Sequence, residues 1–362
     1  MTTGLMRLLS PNGHYITVLK NERRFIFITA LFLLLSLLTS PYPGIARWLG
    51  FLVAGYATVA NDSIQTIGTF IASNRNKPWW LLWIFIGSIF ILTTVYSWLH
   101  YAGDVSYGRL ASKGFSETPV SFSFLQVAAP VFLLILTRLK MPVSTTFLIL
   151  TAFSTSATSI EKVLMKSLLG YGLAFGIAFI TWISISHIIH WYSTGPANPL
   201  WRIAQWFSTG VLWSVWLMQD AANIAVYLPR QLSLYELVWF ITPIFLGLGF
   251  MLFKGGAAIQ TIVEEKSRVH DVRSATLIDI VFTVILFYFK IHSNIPMSTT
   301  WVFLGLLAGR EIAMSLRNVS HKSLKQALGM CSQDVFKAVF GLIISLLIAI
   351  GCNSAMREAL FG

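Results

Sequence analysis

From Pro78 to Tyr101 the chain runs without a single Asp, Glu, Lys or Arg. A helix of that length, rising about 1.5 Å per residue, spans the roughly 30 Å apolar core of a bilayer. Further apolar segments lie at Phe25–Ser40, Trp48–Ser73, Val120–Leu136, Ser167–Trp191, Leu200–Leu228, Tyr235–Phe253, Ser274–Phe289, Pro296–Ala313 and Val335–Gly351. A soluble domain has no partner for so much apolar surface. Such domains carry about 25% charged residues, whereas this chain carries 11% and has a mean hydropathy of +0.71. The lipid-facing surface of a helix needs no charge, and its backbone polar groups are satisfied within the segment. The expected fold is therefore an all-α polytopic membrane protein with about 9–12 membrane segments.

The remaining composition fits that solvent. Thirteen Trp and eleven Tyr suit the two interfacial belts. The net charge of +12 reads as Lys and Arg gathered in cytoplasmic loops and at headgroups. No basic stretch outside the membrane is long enough for a nucleic-acid domain. Cys331 and Cys352 have neither metal spacing nor the look of a disulfide framework. Residues 1–23 read as a short polar tail and not a cleavable signal peptide. Lys20, Arg23 and Arg24 favour a cytoplasmic N-terminus, and the expected location is a bacterial inner membrane. Pro41 and Pro43 should end the first span. Ala102–Pro119 reads as a polar loop, Lys254–Arg273 as a polar amphipathic stretch, and Ser315–Lys325 as a basic loop. The Asn318–Ser320 sequon matters only in a glycosylating lumen.

Two motifs recur in the same order. Asn61-Asp62-Ser63-Ile64-Gln65 sits mid-span in the first half and Gln219-Asp220-Ala221-Ala222-Asn223 in the second; both read amide-Asp-x-x-amide. Downstream, Pro142-Val143-Ser144-Thr145-Thr146 matches Pro296-Met297-Ser298-Thr299-Thr300. Asp62 and Asp220 are 158 residues apart, Ser144 and Ser298 154. An ordered double repeat at nearly one offset marks transporter folds, with the site near the midplane between halves. The chain divides into a tail and extra transmembrane helix (1–47), repeat 1 (48–191), a linker (192–199) and repeat 2 (200–362). Two inverted-topology repeats with discontinuous or re-entrant helices are expected. The Ser/Thr-rich segment Pro142–Ser159 lacks the character of a lipid-exposed span.

Three carboxylates lie well inside apolar segments: Asp62, Asp220 and Asp279. Each costs roughly 2.5–3.5 kcal/mol at the centre of a spanning helix, so such residues face a cavity or a partner. On a helix, positions i and i+3 share a face, which points each Asp and its second amide the same way. Carboxylate and amide oxygens are hard ligands suited to Na⁺; a buried Asp is equally suited to carry a proton. The coupling-cation candidates are Asn61, Asp62, Gln65, Gln219, Asp220 and Asn223, with Na⁺ at Asp62 and Asp220 the metal option. The Pro-x-Ser-Thr-Thr motifs suit an anion. Pro and Ser/Thr favour helix starts, where free N–H groups and the positive dipole end meet negative charge. The bland reading is simple capping of two buried helices. The anion candidates are Ser144, Thr145, Thr146, Ser298, Thr299 and Thr300. Glu161-Lys162 and Arg310-Glu311 read as charged surface turns or, more sharply, as gating pairs. His187, His190 and His292 lie near span ends.

These residues resemble the inorganic phosphate transporter family of cation-coupled phosphate symporters, which carries an Asn-Asp signature and a Pro-Val-Ser-Thr-Thr-type motif in each half. The resemblance runs from about residue 48 to the C-terminus. It implies inverted repeats and a central site, with the Ser/Thr residues on the anion and Asn61, Asp62, Asp220 and Asn223 on the coupling cations. Three departures surround the site. Phe147 and Trp301 stand where the family has His after the Ser/Thr run, Gln219 where the second signature has its first Asn, and Gln65 where the first has its second amide. The expected function is a Na⁺- or H⁺-coupled symporter of inorganic phosphate, with a sulfate or other oxyanion permease as the alternative and a passive anion channel below that. No enzyme is expected: an intramembrane aspartyl protease would need a Tyr-Asp pair and Gly-x-Gly-Asp around these residues. No cofactor is implied beyond the coupling ion. The implied partners are the oxyanion, the lipid bilayer and, as an option, a second copy in a homodimer.

Overall fold

The computed structural model describes residues 14–112, 114–139, 141–192, 197–254, 271–293, 295–319, 322–353 and 357–358. Every regular element among them is helical: α1 His14–Thr39, α2 Pro43–Thr66, α3 Gly68–Ser73, α4 Trp79–His100, α5 Phe124–Arg138, α6 Thr145–Leu148, a 3-10 turn Leu150–Phe153, α7 Ala157–Tyr192, α8 Pro199–Ala225, α9 Leu234–Phe253, α10 Val272–His292, α11 Thr299–Leu316 and α12 Leu324–Cys352. Five are long and apolar enough to cross a membrane: α4, α7 over Ala157–Ser186, α9, α10 and α12. Leu92, Phe207 and Phe336 stand exposed on outer faces, as apolar side chains do where the solvent is lipid.

Local chemistry sets the helix starts. Ser123, Ser233 and Ser323 each accept a backbone N–H from the residue three on, and Gln126, Glu236 and Gln326 reach back to the cap N–H; these are capping boxes. Asn198 caps α8 ahead of Pro199, and Asp271 caps α10 through the Arg273 N–H.

Several boundaries differ from the sequence expectation. The tail is helical from His14, because α1 extends ahead of its apolar run. The expected span Trp48–Ser73 is two helices parted at Ile67, just before Gly68. α7 starts ten residues before Ser167, since Glu161, Lys162 and Lys166 all suit a helix. α12 likewise starts at Leu324 and not Val335. Pro142–Ser159 holds α6, the 3-10 turn and the first three residues of α7. Residues 255–270 of the expected amphipathic stretch, 193–196 of the linker, the His187 and His190 side chains and Ser320 of the sequon lie outside the described residues.

Several helix contacts have a counterpart with the halves exchanged. α2 lies on α5 as α8 lies on α10; α4 lies on α8 as α9 lies on α2; α7 lies on α11 as α12 lies on α6. α2 and α8, which carry the two Asp signatures, meet in the middle. The α7–α11 pair approaches closely through Gly305-x-x-x-Gly309. A Cβ on Gly309 would stand 2.2 Å from the Phe175 carbonyl oxygen and one on Gly305 2.3 Å from that of Tyr171. Small residues at this spacing let two backbones touch.

Candidate functional site

Both signatures end their helices in the same way. α2 stops at Thr66, four residues past Asp62, and α8 at Ala225, five past Asp220. Neither carboxylate sees solvent: Asp62 is 0% exposed and Asp220 1%. Asp62 is fully dressed. Its Oδ1 accepts from Asn61 Nδ2 at 2.6 Å and Gln65 Nε2 at 3.3 Å, and its Oδ2 from the Thr145 hydroxyl at 3.0 Å. Asp220 Oδ1 accepts from Asn223 Nδ2 at 2.6 Å. The Thr299 hydroxyl stands beside this carboxylate, yet Oδ2 has no hydrogen-bond partner.

The two halves are tied through these groups. Asn223 Nδ2 also donates to Thr145 Oγ1 at 2.9 Å, so Asp62–Thr145–Asn223–Asp220 is one chain of bonds. Gln65 Nε2 donates to Thr300 Oγ1 at 3.1 Å. Asn61 Nδ2 donates to the Val143 carbonyl at 2.9 Å, and its Oδ1 accepts from Thr137 at 3.0 Å. Gln219 lies next to Asp220 in the chain but bonds outside this network, donating to the Leu286 carbonyl of α10 at 2.8 Å. Within this cluster four buried acceptors take no hydrogen bond: Gln65 Oε1, Gln219 Oε1, Asp220 Oδ2 and Asn223 Oδ1. Buried polar atoms are nearly always paired, and each orphan costs about 1–3 kcal/mol. All four orphans are oxygens, so what they lack is a hydrogen-bond donor or a cation.

The Ser/Thr motifs meet one another. Ser144 and Ser298 spend their hydroxyls as caps, accepting from Phe147 N and Trp301 N at 3.2 Å each, which is the bland reading of those two side chains. Thr146 donates to the Met297 carbonyl at 3.1 Å and Thr300 to the Val143 carbonyl at 3.4 Å. Val143 and Met297 hold equivalent places, so this pair of bonds is reciprocal. Thr299 Oγ1 accepts from Trp216 Nε1 at 3.3 Å. The rings that follow the two Ser/Thr runs, Phe147 and Trp301, lie edge to face at 6.3 Å. In this state the motifs bond to each other, and an oxyanion between them requires the two reciprocal bonds to open.

Asp279 lies apart from this cluster, 1% exposed, accepting from Thr69 at 3.1 Å and Thr209 at 2.5 Å. Neither Thr209 nor Thr137 belongs to a motif that singles it out. Arg310 and Glu311 are buried and paired at 2.6 Å, with Lys322 at 3.4 Å from Glu311; their counterparts Glu161 and Lys162 are exposed. No group of three His, Cys, Asp or Glu close enough to hold a metal occurs among the described residues, so the donor set is two carboxylates with amides and hydroxyls. That set suits a weakly held monovalent cation better than a transition metal. Set against protein-family models, curated proteins and solved structures, the chain matches none.

Proposed function

We propose that the chain is a secondary symporter that carries a tetrahedral inorganic oxyanion, phosphate before sulfate, with Na⁺ or H⁺ as the coupling ion. The reading rests on one observation: a continuous network joins both Asp signatures to both Ser/Thr motifs and leaves four acceptor oxygens without a donor. A coupling cation supplies what those oxygens lack, and Thr145, Thr299 and Thr300 lie between its carboxylates and the anion motifs. Binding one ion then reshapes the place of the other, and the effect is reciprocal. The exchanged helix contacts support two inverted repeats rocking around this site in an inner membrane. Na⁺ fits the oxygen set directly; a proton fits Asp220 Oδ2. No catalytic dyad is proposed, because Thr145 and Asn223 stand between the two carboxylates.

The test is uptake of labelled phosphate into proteoliposomes, with and without an inward Na⁺ or H⁺ gradient and with unlabelled sulfate as competitor. Gradient-driven phosphate uptake resistant to sulfate is expected. Uptake of sulfate alone would keep the mechanism and change the substrate. Flux indifferent to both gradients would leave a passive channel.

A further inference from the structure

We propose that Arg109, Lys166 and Lys290 form a second oxyanion site, a waiting position beside the second Ser/Thr motif. Arg109 comes from the connection between α4 and α5, which folds into the core with Val105, Tyr107 and Leu110 buried. Positive φ at Ala102, Gly103, Tyr107 and Gly108 bends it inward. Arg109 is 0% exposed. Its Nε donates to the Met218 carbonyl at 3.3 Å, and its Nη1 to the Ser293 and Ile295 carbonyls at 3.0 Å each. Lys166 Nζ donates to those same two carbonyls, at 3.3 Å to Ser293 and also to Ile295. Lys290 Nζ donates to the Tyr107 carbonyl at 3.1 Å and lies 5.5 Å from the Tyr107 ring centre.

Three positive charges thus converge, and among the described residues none has a carboxylate at ion-pair distance. Asp220 acts on Arg109 from a distance. Asp104 acts on Lys290 but spends its oxygens on the Ser106 N–H, the Ser106 hydroxyl and the Gly108 N–H. Among the described residues Arg109 Nη2 has no hydrogen-bond partner. Backbone carbonyls offer only partial charge, and a buried guanidinium beside two half-buried ammonium groups, with no counter-ion, is strongly unfavourable. The missing group is an anion.

The location says which anion fits. Ile295 directly precedes Pro296, and Lys166 directly precedes Ser167, whose hydroxyl accepts the Ser298 N–H at 2.8 Å. The cluster therefore opens on the start of α11, whose eighteen residues add the positive end of a full dipole. A guanidinium fork with two ammonium points suits a tetrahedral oxyanion. A lipid phosphodiester shares that chemistry, and Lys166 and Lys290 are only half-buried, so the test separates a headgroup from the free ion, which is the ligand proposed. Its class follows from the proposed oxyanion symport, and the test keeps the two readings apart.

The test is equilibrium binding of labelled inorganic phosphate, and in parallel sulfate, to the purified full chain in detergent with Na⁺. Wild type should bind two equivalents, Lys166→Gln with Lys290→Gln one, and Lys166→Arg with Lys290→Arg two again. If the double variant does not fold, Lys290→Gln alone should weaken the second equivalent about tenfold, the loss of one charge-assisted bond. Two equivalents unchanged in the Gln variants, or fewer than two in wild type, would overturn the site. Displacement of the second equivalent by short-chain phosphatidylglycerol would give the cluster to a lipid and overturn it too. Two bound equivalents without gradient-driven uptake would sink the symport while leaving the site standing.

Discussion

The two Pro-x-Ser-Thr-Thr motifs begin alike and end differently. Ser144 caps a helix of four residues, followed by a 3-10 turn; Ser298 caps one of eighteen. The residues after each cap explain the difference. Past Thr146 the first half is rich in Ser and Thr, and Thr151 donates to the Phe147 carbonyl while Ser154 donates to that of Ser156. Such local bonds compete with the helix. Past Thr300 the second half is mostly Leu, Ala and Gly, and Gly305 and Gly309 admit α7. The charges follow the same split. Three cations without a carboxylate partner among the described residues gather at the second motif, whereas Arg138, four residues ahead of the first, is exposed and paired with Glu22 of α1 at 2.7 Å. The hydrogen-bond network around the two carboxylates is shared by both halves, and the basic residues are distributed unevenly between them.

The carboxylates give the hardest test of that split. Asp220→Asn should cut gradient-driven uptake by about 100-fold, the upper range of an ion-coupling free energy. It should leave the fold intact, because the new amide nitrogen can take the open Oδ2 place. Asp62→Asn should do the same damage and also cost about 1–3 kcal/mol of stability, since its amide would turn a donor toward groups that already donate. Uptake assays with unfolding curves in detergent separate the two. Equal stability in both variants would show that the difference in hydrogen bonding between the carboxylates carries no energy.

Packing gives the next largest effect. Gly309→Ala drives a methyl into the Phe175 carbonyl and must part α7 from α11, at about 3 kcal/mol. Gly341→Ala, where α12 meets the first motif, brings a methyl only to 3.3 Å from a Val143 methyl and should cost under about 1 kcal/mol. A thermal shift as large for Gly341→Ala as for Gly309→Ala would mean that the two motifs are supported equally.

What the sequence revealed follows the range of the forces involved. Apolar runs and caps are local, so the all-helical class, the end of α1 before Pro41 and the pairing of Asp62 with Asp220 were legible. Arg109 was not. It sits in a stretch that reads as a polar loop, and its burial depends on carbonyls 109, 184 and 186 residues away. Lys166 was not legible either, for the same reason: nothing nearby in the chain announces Ser293 or Ile295. The Thr hydroxyls were legible as a motif, but their reciprocal use across the halves required the fold.

The caps come next. Loss of an N-cap costs about 1 kcal/mol. In α6 that is the only side-chain cap for four residues, so Ser144→Ala should loosen Thr145 from Asp62 and raise the half-saturating cation concentration about fivefold. In α11 the rest of the helix persists, and Ser298→Ala should instead raise the half-saturating anion concentration, by about the same factor. Both variants shifting the same ion would erase the division of labour between the motifs.

The smallest expected effect is the most pointed. Thr146→Val and Thr300→Val each remove one of the two reciprocal bonds that close the motifs on each other, worth about 0.5–1.5 kcal/mol apiece. If those bonds hold the closed state against the oxyanion, either change favours opening, and anion affinity should rise or stay level while stability falls slightly. Thr300→Val should fall short of Thr146→Val in that gain, because Thr300 also accepts from Gln65 and its loss takes away one of the two bonds that this amide makes beside the carboxylates. A drop in anion affinity for both variants would instead make the hydroxyls direct anion ligands. Their bonds to Met297 and Val143 would then be what the chain makes when no anion is there, and the first motif would regain an equal share of the anion chemistry.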